Sequence, residues 1–104
     1  MPGVDFSRLR TEITMEQVLN LLGFQPSQRT GQQWYGTCPL HSSTSRRPRS
    51  FSVNVGTARY YCHQCHSHGN QLELWAAAAN LALHPAMVEL CRVLGREVPW
   101  IRRW

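Results

Sequence analysis

The sequence contains no lysine, and all eleven of its basic residues are arginine. Carboxylates are scarce and unevenly placed: Asp5, Glu12, Glu16, Glu73, Glu89 and Glu97 are the full set, so residues 17–72 carry none. The six acids are scattered, and only Glu12 and Glu16 are close enough to share one helix face. An apolar secretory core is missing from the opening MPGVDFSRLR. The longest greasy stretch, LELWAAAANLALHPAMVEL, is interrupted by Asn80, His84 and Pro85 and so is not a membrane span, and no membrane partner is expected. Without an export signal the expected location is cytoplasmic. Closely spaced Cys and His there read as metal ligands rather than disulfide partners. Internal repeats and low-complexity tracts are also absent.

What the chain does have is a formal charge of +5, concentrated where acids are missing. Arg29, Arg46, Arg47, Arg49 and Arg59 all fall in the carboxylate-free window. A field of that sign attracts a polyanion, although a solvated basic face kept for solubility has the same composition. At 104 residues the chain fits one small domain, short enough for a metal staple to add materially to its core.

Two short clusters carry the metal chemistry. CPLH offers Cys38 and His41, CHQC offers Cys62 and Cys65, each pair spaced by two residues, with twenty residues between the pairs. A two-residue gap lets both side chains of a tight turn converge on one ion while backbone N–H groups support the thiolates. Three thiolates and one imidazole close a tetrahedron with no open position, which implies one structural Zn²⁺. The three thiolates and the ion together contribute −1, leaving the window's five arginines near +4. His63 and His66 are alternative ligands, His68 is a candidate phosphate contact, and Cys91 lies on an apolar stripe and reads as core.

Periodicity gives a coarse domain plan. Residues 1–12 look like a lightly structured arm, 13–99 like the folded domain, and 100–104 like a tail. Thr14 and Gln17 resemble a capping box ahead of a helix that Gly23 ends. QQWYGTC reads as a short strand. SFSVNV alternates with Phe51, Val53 and Val55 on one face, and ARYYC returns as its partner after a turn at Gly56 and Thr57. Alternation then puts Tyr60 with Cys62 and Arg59 with Tyr61. Gly69 and Asn70 open a helix with Leu72, Trp75, Ala76 and Ala79 on one side, and a last helix aligns Met87, Leu90, Cys91 and Leu94. Trp34 and Trp75 are expected in the core.

From Trp34 onward, WYGTCPLH, SFSV and RYYCHQCHSHGNQLELW resemble the zinc-binding domain of DnaG-type bacterial primases. The resemblance takes in the helix at 14–22 and the segment LGREVP, and so covers residues 11–99. It implies a small α+β fold, a zinc-ribbon-like antiparallel sheet with flanking helices. It also implies the ligand set Cys38, His41, Cys62 and Cys65, and a DNA-facing sheet that includes Arg59 and Tyr61. In that family the domain helps recognise single-stranded template DNA for primer synthesis beside a separate polymerase domain. The loop SSTSRRPR is longer and richer in Arg than the family's usual link. No carboxylate cluster suited to Mg²⁺ is present, so the chain by itself is expected not to be an enzyme.

Arg46, Arg47 and Arg49 are expected to neutralise phosphates, and Tyr61 to stack on a base. The expected partners are single-stranded DNA and a separate primase polymerase or helicase. The alternative is a protein-interaction zinc module of a plasmid or mobile element, docking through Trp100, Ile101 and Trp104; a degenerate fragment that keeps only its zinc site is the third possibility.

Overall fold

In the structure, a computed structural model that describes residues 3–40, 51–63 and 66–101, the capping box forms as the sequence suggests. The Thr14 hydroxyl accepts from the Gln17 N–H at 3.1 Å, and Gln17 Oε1 accepts from the Thr14 N–H at 2.8 Å. The helix they start, Met15–Leu21, buries Met15, Val18 and Leu19, and Gly23 leaves it at φ +71°.

An unexpected helix precedes it. Residues 4–12 are not a loose arm: α1 spans Phe6–Glu12, with the Asp5 carboxylate accepting from the Arg8 N–H at 3.1 Å as its cap. Val4, Leu9 and Ile13 are fully buried. The start of the chain is also tied to its far end. The Asp5 N–H donates to the Pro99 carbonyl and the Ile101 N–H to the Gly3 carbonyl, each at 2.7 Å, around a Val4–Trp100 bridge. The backbone of residues 99–101 is therefore paired with the chain start rather than trailing as a tail. Residues 102–104 lie outside the described set.

The helix Met15–Leu21 is α2. Among the described residues five strands follow, β1 (Gln28–Thr30), β2 (Gln33–Gly36), β3 (Phe51–Asn54), β4 (Arg59–Cys62) and β5 (His68–Gly69). They form one antiparallel sheet in chain order. β1 and β5 escape a periodicity reading because three and two residues are too few to show alternation. β3 and β4 alternate as expected, with Phe51, Val53, Tyr60 and Cys62 inward. Gly36, opposite Phe51, is required by packing: a Cβ there would sit 2.8 Å from the Phe24 ring, which meets Phe51 edge-on at 5.2 Å.

Two further helices lie among the described residues, α3 (Gln71–Ala79) and α4 (Leu83–Leu94), turning by 96° between them. α3 has its own capping box, from Asn70 and Glu73. It touches α1, α2, α4, β4 and β5, so its apolar surface extends beyond the single stripe expected. Leu74 is fully buried as well as Leu72, while Trp75 is only half-buried. α4 follows the expected stripe, with Ala86, Met87, Leu90 and Cys91 buried. Burial pushes the Cys91 thiol up, against the smaller opposing pull of Arg96, as suits a packing residue. No single helix among the described residues is long and apolar enough to cross a membrane.

Glu12 joins the two ends electrostatically. It accepts from Arg8 Nε at 2.9 Å and from Arg96 beyond α4. The Arg8 hydrogen bond, then that from Arg96, holds its carboxyl below the ordinary range. A lowered carboxyl stabilises the fold above its unfolded value, and that contribution fades as pH falls through the folded one. In denaturant melts, the stability gap between wild type and Glu12→Gln is expected to be constant from pH 7 to about 5 and to close below about 4.3. The gap is small because the pair is solvent-exposed.

Candidate metal centre and nucleic-acid face

The sheet delivers two buried thiols to one end. Cys38 lies two residues beyond the end of β2 and Cys62 closes β4, at 2% and 0% exposure. Gly36 at the end of β2 pairs with Phe51, which pairs in turn with Cys62, so both cysteines approach the same edge of the inward face. At Cys38 the backbone supports the thiol directly, and at Cys62 it closes a turn. The Leu40 N–H points at Cys38 Sγ, at 3.5 Å. After Cys62 the chain doubles back: the His66 N–H donates to the Cys62 carbonyl at 2.8 Å, and the Cys62 N–H donates to the Ser67 carbonyl at 2.9 Å. His66 takes a left-handed conformation, φ +60°, to make this turn. The described segments thus place one thiol of each expected ligand pair at the same end of the sheet. His41 and Cys65 lie outside the described residues. Among the described residues no three His, Cys, Asp or Glu side chains form a group able to hold a metal.

His63 and His66 are directed elsewhere. The His63 ring meets Tyr61 edge-on at 4.8 Å, and His66 Nδ1 is hydrogen-bonded to the Tyr61 hydroxyl at 3.1 Å. His68 stacks on the same ring at 6.3 Å and 21°. The expected pairing of Arg59 with Tyr61 on one face is present, both exposed on β4 while Tyr60 and Cys62 are buried. Register then assembles a polar and aromatic row across the outer face: Tyr35 opposite Ser52, Ser52 opposite Tyr61, Tyr61 opposite His68. A second row brings Gln33, Asn54 and Arg59 together. The three histidines around Tyr61 are the feature that spacing alone does not reveal, because their convergence depends on the turn after Cys62 and on β5. Trp34, expected in the core, is half-buried and carries the Arg29 guanidinium 4.3 Å above its ring. Arg46, Arg47 and Arg49 lie outside the described residues.

Residues 4–103 match the CHC2 zinc finger of DnaG-type primases. The chain belongs to that family. It is 35% identical over 71 residues to a DNA primase of Pseudomonas putida, and 31% identical over 71 residues to one of Treponema pallidum. Each match covers 68% of this chain but only 10% and 11% of the relatives. The chain thus corresponds to about a tenth of those primases. The fold is similar to that of the Aquifex aeolicus primase structure containing zinc-binding and RNA polymerase domains, with a TM-score of 0.70 and 21% identity. The match covers 92% of this chain and 23% of that one. The small α+β, zinc-ribbon-like architecture is therefore that of the primase zinc-binding domain. The match begins at residue 4, ahead of the stretch the sequence motifs mark out, in keeping with the packing of α1.

Proposed function

We propose that the chain is a primase-type recognition module that holds single-stranded DNA on the outer face of its sheet, in a cytoplasmic replication setting beside a separate polymerase or helicase. One structural Zn²⁺ bound by Cys38, His41, Cys62 and Cys65 would fix the end of the sheet from which that face projects. The observation that carries the reading is the outer face itself: Arg59, Tyr35, Tyr61 and His68 sit together within a window that contains no carboxylate. A cation beside flat rings, without competing anions, suits a strand whose phosphates need neutralising and whose bases are unpaired. Arg46, Arg47 and Arg49, in the loop between the two ligand pairs, supply further phosphate contacts in this reading. The chain's own contribution is recognition, with primer chemistry left to the polymerase.

Fluorescence anisotropy with an oligothymidylate tests it. Affinity should fall with salt at a log–log slope of roughly −0.7 per phosphate contacted. Tyr61→Ala should cost about 1–3 kcal/mol if a base stacks there. Binding unchanged in Tyr61→Ala, or absent from zinc-loaded protein at low salt, would defeat the reading.

A protein-docking role, such as a zinc module of a plasmid or mobile element would have, is favoured by one observation. Trp100 is 43% exposed although its backbone neighbours are paired with residues 3–5. Because Pro99 and Ile101 hold the chain start, Trp100→Ala separates the roles more cleanly than truncation. Loss of a polymerase or helicase interaction with DNA binding intact would favour docking.

A further inference from the structure

A concave feature lies at the far end of the sheet from the cysteines. Where the β3–β4 turn meets the start of α3, a cleft of about 320 Å³ is lined by Arg10, Thr57, Ala58, Arg59, Asn70 and Gln71. Its volume is at the small end of the range for ligand sites, about 300–1,000 Å³. Two guanidiniums from different elements, Arg10 on α1 and Arg59 on β4, flank it. Neither has a hydrogen-bond or ion-pair partner among the described residues. By contrast Arg8, Arg92 and Arg96 are each paired with a glutamate. No carboxylate lines the cleft. Two unpaired like charges facing one hollow repel each other unless an anion sits between them.

Gln71 adds an observation of a different kind. Its side chain is buried, at 1% exposure, and its Nε2 donates to the Arg10 carbonyl at 2.9 Å and the Ile13 carbonyl at 2.7 Å. Both amide hydrogens are spent on holding α1. The Oε1 atom is buried without any partner, an acceptor that costs free energy until a donor reaches it. Ala58, in the same lining, adopts φ +57°, a conformation that is unfavourable for a residue with a Cβ. Two unpaired cations and a strained turn thus share one cleft, and Gln71, whose buried Oε1 lacks a partner, lines it. A nucleotide supplies both an anion and N–H or O–H donors, whereas inorganic phosphate or sulfate at neutral pH is mainly an anion.

We infer that the Arg10–Arg59 cleft receives the phosphate of one nucleotide unit, with the sugar or base beside Gln71. The inference rests on the outer-face reading to the extent that Arg59 belongs to both, so that a strand on Tyr61 would run along β4 into the cleft. Arg10 then becomes a nucleic-acid contact from a helix that the outer face does not include.

The test is an amide-shift titration of the zinc-loaded protein by NMR, using an unphosphorylated twelve-residue oligothymidylate. Shifts are expected at Arg10, Ala58, Asn70 and the Gln71 side-chain amide together with Ser52, Tyr61 and His68, and Arg10→Glu should abolish only the first group. In parallel, Arg10→Ala should weaken binding about five-fold at 0.1 M salt and flatten the salt slope by about 0.7, the loss of one phosphate contact. Arg92→Ala removes the same charge from a pair with Glu89 elsewhere and should leave the slope unchanged. A 5′-phosphorylated oligonucleotide tells whether an internal or a terminal phosphate occupies the cleft, since only the terminal case makes the cleft shifts depend on that group. Outer-face shifts with a silent cleft, or an unchanged slope in Arg10→Ala, overturn the inference and leave the outer-face reading standing. Cleft shifts without outer-face shifts do the reverse, and silence in both overturns both.

Discussion

Cys62→Ala is expected to unfold most of the sheet at room temperature. Cys62 ends β4 and pairs with Phe51, whose ring packs on Phe24 and Tyr60. In the proposed metal centre it is also one of four zinc ligands. Structural zinc contributes on the order of 10 kcal/mol in small modules at neutral pH. Small domains have only about 5–15 kcal/mol of net stability, so losing the ion removes most of the margin. Cys62 is itself fully buried, so the substitution alone would not separate metal from packing. Chelation of the unaltered chain does. Both treatments should lower the thermal midpoint by a similar, large amount and remove protection from exchange for the β3 and β4 amides. Cys91→Ala, at a buried thiol outside the expected ligand set, should cost only the roughly 1 kcal/mol typical of point substitutions. A midpoint that falls in Cys62→Ala but not after complete chelation would assign Cys62 to packing alone.

Leu9→Ala is expected to cost about 2–5 kcal/mol, the range for truncating a buried leucine. Leu9 sits fully buried on α1 within the main core. The Gln71 amide holds the C-terminal end of that helix through the Arg10 and Ile13 carbonyls. A loosely attached arm would give a change near zero. Urea unfolding of the zinc-loaded variant distinguishes these outcomes. Arg10→Ala, one residue away and exposed, should leave stability nearly unchanged, which is what makes it a clean probe of the cleft.

The contrast between α1 and α2 shows what the sequence makes legible. α2 announces itself through Thr14, Gln17 and Gly23, local signals that act within a few residues. α1 is only seven residues long, too short to be stable alone, and its hold on the fold comes from Gln71 and Pro99, about sixty and ninety positions away. Nothing local reveals that. The same limit applies to the site. The ligand spacing and the β3–β4 alternation are local, and β4 places Arg59 and Tyr61 outward as alternation requires. The histidines around Tyr61 and the approach of Arg10 to Arg59 arise from a turn and from helix packing, which no periodicity encodes. Gln71, a polar residue inside the core, is the clearest case. No local pattern marks it as buried, yet the structure uses its amide to fasten α1.

In the function proposed, one ion gripped by the turns at Cys38 and Cys62 organises the sheet whose outer face meets nucleic acid. Elemental analysis of the purified chain after exhaustive dialysis tests it most directly. One zinc per chain, retained by the wild type and by Cys91→Ala but lost from Cys62→Ala, is the expected result. A metal-free chain that keeps its native sheet would contradict it.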